Sequence, residues 1–481
     1  MSLSLSFSSA LSGLHVASRG TRLVADNIAN AQTRGYALRS LDQSAQVLGG
    51  AGNGVRAVGV HRDIDQGLLN EHRDAVSSAA QQGSLTQFWL ELERSFGMPD
   101  EQGSLVHQIG RLEDGLSTAA ANPESDVNLQ VITNVANDLT RNFNFLETTL
   151  LNQRDAADAS IARDVAALNT ALEEVARLNR EIQRQTLLGG TPQALMDLRQ
   201  ALIDDVAEII PVTEIPREDG RSLLLAQDGT VLADRGAAEF GFDRTTSISP
   251  TDLVQTGALS QLRVNGKTVT SDSALLAEGR LGATFAIRDV LGPSAQDELD
   301  TLAADLVTRF MAPDADPTLP TGAFGLFAIS GESTVPATLT GIAGRLVVNA
   351  AVDPEKGGDF WRLRAGIDAP GPGFVADNSQ LSRMAAALTR PLALGVSGIV
   401  SRSVHGHATD MVSGLSAKRL ATEVNQSSAD ARLAAVQDTL GARGVDTDAE
   451  LSKLLRLEQA YAANARVLST VDAMLRNLME I

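Results

Sequence analysis

The chain has 481 residues, of which 43% are hydrophobic, so it is long and apolar enough to build about three packed domains. Its 59 acidic residues outnumber the 40 Lys and Arg residues, and the net charge of −19 disfavours nucleic acids and anionic membrane surfaces as partners. Because the chain has no cysteine, disulfides, thiolate nucleophiles and Cys-type zinc sites are excluded.

The amino terminus lacks the basic region of a secretory signal peptide. The first positively charged side chain is that of Arg19, and no apolar run approaches the roughly 18 to 20 residues of a membrane span. We therefore expect a protein made in the cytoplasm, unless export uses an uncleaved amino terminus.

A heptad pattern predicts an amino-terminal helix over Leu3 to Asn30. Its positions follow alternating spacings of four and three residues and form a weakly hydrophobic stripe. The stripe consists of Phe7, Leu11, Leu14, Ser18, Thr21, Ala25 and Ile28.

A stronger heptad pattern occupies the carboxyl terminus. Its positions are Leu454, Leu457, Tyr461, Asn464, Leu468, Val471, Leu475 and Leu478. The helix is expected to begin near Asp446 or Asp448, either of which can cap it, and to run nearly to Ile481. Since the two stripes lie at opposite ends of the chain, they can cover each other or a neighbouring subunit.

The segment after the first helix contains a glycine cluster. We interpret Gly49 to Gly54 as a loop, because the strand and helix that a phosphate-binding site requires do not flank it in the right order. Val55, Val58 and Val60 then indicate a strand.

Long helices are predicted next. Apolar residues recur at helical spacing from Ile132 to Leu150 and again from Ile161 to Ile182, which we interpret as long antiparallel helices. A further helix should begin at Thr191 and Pro192 and end before Pro211.

From Val212 onward, the hydrophobic residues recur at a spacing close to two, which is typical of β-strands. Asp228 with Gly229, and Asn265 with Gly266, predict two β-hairpins. One helix is expected over 294–311, and we place it with the long helices because its apolar stripe covers one side. Gly and Pro then dominate to Phe374, and helices resume after Asp377.

The predicted fold class is α+β and multidomain, with terminal helices forming a coiled coil, a long-helix bundle domain and a β-rich inserted region. The predicted domains are a terminal coiled-coil assembly domain (1–60 and 430–481), a helical core domain (61–211, 274–312 and 374–429), a β-hairpin segment (212–273) and a β-rich insertion (313–373).

Motifs for catalysis or metal binding are weak. His405 and His407 lack an obvious third metal ligand, and Asp204 with Asp205 point about 100° apart on a helix. Gly266-Lys267-Thr268 lacks the first glycine of a phosphate-binding loop. We therefore predict no catalytic residues, no metal and no cofactor.

The two ends of the chain resemble a known family. NIANAQTRGY, Asn27 to Tyr36, is similar to the amino-terminal motif NIANxxTxGY of flagellar rod, hook and hook-associated axial proteins. QAYAANARVLSTVDAML in the last helix is similar to their carboxyl-terminal motif. In this motif Asn27 and Asn30 can turn or cap the backbone, and Gly35 permits a positive φ before Tyr36. Thr33 also matches the motif, at the threonine position of the pattern NIANxxTxGY.

The interior resembles the hook-associated members of this family. The resemblance includes residues 52–75, LNREI at 178–182 and LMDLRQALIDDVAEIIPV at 195–212, whereas rod and hook proteins are similar at the ends alone. It implies an extracellular structural protein in a ring between hook and filament, exported by the flagellar type III apparatus. The implied partners are copies of itself, the hook protein, a second junction protein (hook-associated protein 3) and a cytosolic chaperone at the last helix.

Two alternatives remain. The hook protein itself, or another axial subunit, would have a β-dominated middle without the long helices of 126–210. A hydrolase that uses carboxylates and histidine would need a pocket joining Asp353, Asp359 and His405.

Overall fold

The structure is a computed structural model that describes residues 3–48, 51–393 and 401–479. Most of this chain is helical. The helices are α1 (Leu3–Ala29), α2 (Gln66–Phe96), α3 (Leu105–Ala121), α4 (Asp126–Leu187), α5 (Gln193–Ile209), α6 (Gly279–Ala286), α7 (Gly292–Met311), α8 (Trp361–Ala365), α9 (Ser379–Thr389), α10 (Val404–Ala442) and α11 (Thr447–Met479).

The strands form four small antiparallel sheets, which pair β1 with β2, β3 with β4 and β5, β6 with β7 and β8, and β9 with β10. Their bounds are β1 (Arg39–Leu48), β2 (Ala51–Arg62), β3 (Val212–Pro216), β4 (Ser222–Ala226), β5 (Val231–Ala233), β6 (Phe240–Gly241), β7 (Arg263–Val264), β8 (Lys267–Thr268), β9 (Phe327–Ile329) and β10 (Leu346–Val348).

The central element is α4, and here the prediction of antiparallel helices is wrong. The two apolar stretches belong to one continuous helix of 62 residues, about 93 Å long. The residues between them include no Gly or Pro, so nothing in the local sequence ends the helix. The Ser125 hydroxyl caps its first turn by accepting the N–H of Asn128.

Helix α4 passes through two hydrophobic cores. Its first half, from Leu129 to Ala157, packs with α2, α3, α7, α9 and the start of α10. Its second half, from Ile161 to Val175, packs with α5, α6 and the strands from β3 to β7. Helix α7 lies in the first core, with the long helices as expected, and also contacts β9 there.

Both hairpins predicted in the second core are present. Gly229 has a φ of 83° between β4 and β5, and Asn265 and Gly266 have φ values of 51° and 76° between β7 and β8. A left-handed conformation at both central residues is the geometry that an Asn-Gly hairpin turn favours.

Two other expectations need correction. Residues 51–54 of the glycine cluster belong to β2, preceded by the strand β1, while residues 49–50 lie outside the described part. The insertion at 313–373 is not β-rich among its described residues: β9 and β10 have three residues each, and turns make up much of the remainder. Its many Gly and Pro residues favour turns over ladders of backbone hydrogen bonds.

Helices α2 and α10 form a long antiparallel pair that returns the chain to its beginning. Arg419 on α10 pairs with Glu93 near the end of α2, with Nε and Oε2 2.6 Å apart. Arg443, just after α10, pairs with Asp65, which caps α2. This pairing brings the start of α11 next to the region where α1 ends.

Two acidic side chains are buried together in the first core. The amide of Gln296 donates from the same Nε2 to Glu147 on α4 (3.1 Å) and to Asp300 on α7 (3.0 Å). Burial raises the pKa of both carboxyl groups, and the proximity of Asp300 raises that of Glu147 further. The folded state therefore binds protons more readily than the unfolded chain, and this contribution to stability is lost as pH rises through the folded-state pKa values.

We predict that Glu147→Gln raises the melting temperature of this core at pH 7.5 by roughly 2 to 4 °C and gives no gain near pH 4. The neutral amide removes a buried charge and can still accept the N–H of Gly344. Calorimetry at both pH values tests this, with the exposed Glu173→Gln on the same helix as the control. An equal shift at both pH values would show that the carboxylate pair is not the cause.

Candidate assembly site at the paired termini

The first and last helices pack side by side in opposite directions. A Cβ built on Gly13 would lie 2.7 Å from the Asn464 side chain, and one on Gly20 would lie 3.1 Å from Leu457. Asn27 donates to Glu450. These three contacts recur every seven residues on both helices, so the antiparallel register is regular.

The face of α1 that meets α11 differs from the predicted stripe. It consists mainly of small residues and lies one position earlier, about 100° around the helix. Its members are Ala10, Gly13, Ala17, Gly20, Val24 and Asn27. Small residues allow the two backbones to approach closely, which a row of Phe and Leu would prevent. Of the predicted stripe, Phe7 and Leu11 are more than a third exposed, and Leu14 and Ile28 are half-buried.

The carboxyl-terminal stripe is divided between two surroundings. Leu454, Leu457 and Leu468 are half-buried and Val471 is buried, whereas Tyr461 and Leu475 are exposed. The side chain of Leu478 lies outside the described residues.

Helix α11 also exposes apolar side chains on other sides. We call this set the outer apolar residues of α11: Leu451, Leu455, Val467 and Met474. Together with Phe7 and Leu11 on α1, they leave the paired termini with apolar surface that no other described residue covers.

Asn27 is the central residue of this site and is fully buried. Its Nδ2 donates to the backbone carbonyl of Arg39 and to Glu450 Oε2, each at 2.9 Å. Its Oδ1 accepts the Tyr36 hydroxyl at 2.8 Å and the N–H of Arg39 at 3.2 Å. One amide thus joins the end of α1, the start of β1 and the start of α11.

The other motif residues shape the turn that leaves α1. Asn30 donates to the Asp26 carbonyl and accepts the Thr33 hydroxyl. Gly35 has the expected positive φ, 77°, and a Cβ there would meet the Asp197 carbonyl at 2.7 Å. Burial raises the pKa of Tyr36, so its hydroxyl remains a donor to Asn27 at neutral pH.

Asp197 on α5 ties this turn to the second core, and we did not predict its role. Its carboxylate pairs with Arg39 at the start of β1 and, at 2.7 Å, with Arg62 at the end of β2. The side chains of both arginines are at least 84% buried. No local pattern joins residues 39, 62 and 197, so the sequence carries no signal for this contact.

The β1–β2 hairpin lies against α1. The Ser12 hydroxyl accepts the N–H of Val55 at 3.1 Å. Gly54 has a φ of 97°, and a Cβ there would meet Ser12 Oγ at 2.1 Å, so this position requires glycine. The hairpin and α11 therefore cover two adjoining sides of α1.

Residues that we considered as candidates for catalysis or metal binding form contacts that stabilise the fold. His407 is buried with its Nδ1 3.2 Å from Asp305 Oδ2, and Asp353 caps a short turn and pairs with Lys356. Across residues 3–48, 51–393 and 401–479, His, Asp and Glu side chains form no group of three that could hold a metal ion. In the same part of the chain, no helix is long and apolar enough to cross a membrane.

Two family models match separate parts of the chain. The model described as the flagellar hook-associated protein FlgK helical domain matches residues 90–315. The model described as the flagellar basal body rod FlgEFG protein C-terminal matches residues 436–481, which include α11. Both models describe one class of protein, that of the bacterial flagellum, and these two parts of the chain are similar to it.

Curated relatives agree with this class. The chain is 22% identical over 488 residues to flagellar hook-associated protein 1 of Bacillus subtilis (strain 168), covering 94% of this chain and 93% of the relative. It is 25% identical over 310 residues to the protein of that name from Salmonella typhimurium, covering 63% of this chain and 55% of the relative. A solved structure, the flagellar hook junction protein FlgK from Burkholderia pseudomallei, matches with a TM-score of 0.46 and 18% identity over 54% of this chain and 47% of that chain.

Over most of its length, the chain is therefore similar to flagellar hook-associated protein 1.

Proposed function

We propose that this protein is a structural subunit of the junction between the flagellar hook and the filament, where copies of it form a ring through their paired terminal helices. The observation that carries the proposal is the pairing of α1 with α11, locked by Asn27, with apolar side chains left exposed around it. Packing between subunits would bury these side chains, so the mechanism is assembly without chemical turnover.

The partners follow from this position. We propose that the hook protein contacts the ring on one side and a second junction protein, hook-associated protein 3, on the other. Before assembly, a cytosolic chaperone would cover α11 and shield its apolar side chains from aggregation. The chain would then leave the cell through the flagellar type III export apparatus and become extracellular.

The hook protein remains the alternative within the class. Its family resemblance is limited to the termini, whereas the helical-domain match over residues 90–315 includes all of α4 and α5. That match favours the junction protein. A hydrolase would need Asp353 free for chemistry, but its carboxylate caps a turn at Glu355 and pairs with Lys356.

We predict that Leu455→Glu abolishes assembly while leaving the isolated chain folded. The Leu455 side chain is 60% exposed on α11, so glutamate costs the monomer little but places a charge in the subunit interface. Immunoblots of purified flagella from cells that carry this variant in place of the native protein should show at least tenfold less of it, with the missing subunit in the medium.

The matched control is Leu198→Glu on α5, a residue 58% exposed and outside the paired termini. It should be incorporated at the native level. If Leu455→Glu is incorporated as well as the control, the outer apolar residues of α11 are not an assembly surface.

A further inference from the structure

A cavity of about 420 Å³ lies where β2, α5 and the β3–β4 hairpin meet. This volume is within the range of small-ligand sites. Of the described residues that line it, Arg62, Arg199, Arg217 and Arg221 are cationic at neutral pH and Glu214 is anionic. Four arginines therefore lie around one cavity in a chain whose net charge is −19.

The acidic groups near the cavity compensate these arginines unevenly. Asp197 pairs with Arg62, and Asp219 and Asp234 both pair with Arg221. Glu214 is engaged mainly by Arg73, at 2.7 Å, and by the Ser222 hydroxyl.

Two arginines consequently keep unused binding capacity. Arg199 donates from Nη1 to Asn179 and to the Gly220 carbonyl, but the nearest carboxylate oxygen is 3.9 Å from its Nη2. Arg217 has no carboxylate partner within the described residues. The side chains of Arg62 and Arg199 are more than nine-tenths buried, and the Nε–H group of each lacks a hydrogen-bond partner in that part of the chain. Because both Nε atoms are also shielded from solvent, an anion in the cavity would reach Arg199 through its Nη2 group and not through Nε.

From this arrangement we infer that the cavity binds an oxyanion, a phosphate or a carboxylate group, held between Arg199 and Arg217. Phosphates and carboxylates match the planar donor fork of arginine, and a partly buried site strengthens each charge-assisted hydrogen bond. Burial lowers the pKa of Arg199 to about 10, an effect that the charge of Glu214 opposes and the charges of Arg62 and Arg73 reinforce. A bound anion would act in the same direction as Glu214.

Binding there would have a structural consequence. Arg199 lies on α5 and Arg217 follows β3, so one anion would join these two segments. The bound state should resist unfolding more than the free state, by an amount that depends on the anion concentration.

The test is calorimetric titration of the full-length chain with inorganic phosphate, and separately with acetate, at constant pH and ionic strength. We expect saturable binding of one anion per chain. Arg217→Gln should weaken it about tenfold, the effect expected when one hydrogen bond to a charged group is lost. Arg217 is exposed, so its replacement should leave the fold intact.

The matched control is Arg235→Gln, which removes the same charge from another exposed position that does not line the cavity. It should bind as the native chain does. Saturable binding of phosphate alone would indicate a free oxyanion as the ligand, and binding of acetate as well would indicate a carboxylate. Absence of saturable binding, or equal binding by both variants, would overturn the inference.

Discussion

Replacing Asn27 with alanine should release α11 from α1 and is the first of two large effects that we expect. The substitution leaves four partners of the amide without their hydrogen bonds, among them the buried carboxylate of Glu450. Unsatisfied backbone groups and a carboxylate oxygen that loses its donor together cost about 3 kcal/mol, although Lys453 still pairs with the other oxygen of Glu450.

Hydrogen exchange measured by mass spectrometry can localise this loss. Peptides that cover the end of α1 and the start of α11 should exchange on the order of a hundredfold faster than in the native chain, whereas peptides from the middle of α4 should not change. This regional readout is needed because a chain with several cores does not unfold in one step.

Asn30→Ala is the matched control in the same motif. The hydrogen bonds of Asn30 to Asp26 and Thr33 are exposed, so we expect a loss below about 1 kcal/mol and nearly native exchange. If the two variants behave alike, Asn27 does not hold the termini together.

Gly20→Leu should have the second large effect. The first side-chain carbon would already lie 3.1 Å from both methyl groups of Leu457, and three more carbons cannot be placed without separating the helices. Leucine favours a helix more than glycine by about 0.8 kcal/mol, so a loss of stability would come from packing and not from α1 itself.

Trypsin provides the measurement, because Arg456 and Arg466 lie on α11. Cleavage after these residues should be at least tenfold faster in Gly20→Leu than in the native chain. Gly20→Ala should stay near native, since its gain in helix propensity offsets a contact that is tight by a few tenths of an ångström. The exposed Ser18→Leu on the same helix should also match the native chain, and equal sensitivity of Gly20→Leu would refute close packing at Gly20.

The sequence predicted the local elements well where short-range chemistry decides them. The cap at Asp446 accepts the N–H groups of Asp448 and Ala449 where α11 begins, and the Asn265-Gly266 turn has the expected left-handed backbone. In both places the side chain and the conformation that it stabilises lie within a few residues of each other.

The packing face of α1 could not be predicted from hydrophobicity alone. A heptad pattern of hydrophobic residues predicts the packing face of a helix. The two helices nevertheless meet at Gly13 and Gly20, where the lack of a side chain allows the backbones to approach closely. The seven-residue interval between these glycines is present in the sequence. It indicates a packing face only once Asn464 and Leu457, more than 400 positions away, are known to lie against the two glycines.

Contacts between charged residues that are distant in the chain could not be predicted from the sequence either. Asp197 pairs with Arg39 and Arg62, which are cross-strand partners in the β1–β2 hairpin, and this contact requires the hairpin to lie against α5. The continuity of α4 is a related case. Two apolar stretches separated by polar residues suit either a helical hairpin or one long helix, and the two separate cores favour the second.

The central claim, a subunit of the hook–filament junction, is tested most directly by immunogold electron microscopy of intact flagella. An antibody against residues 212–373 would recognise a region away from the paired termini. The account predicts a narrow band of label at the boundary between hook and filament. Label along the whole hook, or no label on the flagellum, would contradict it.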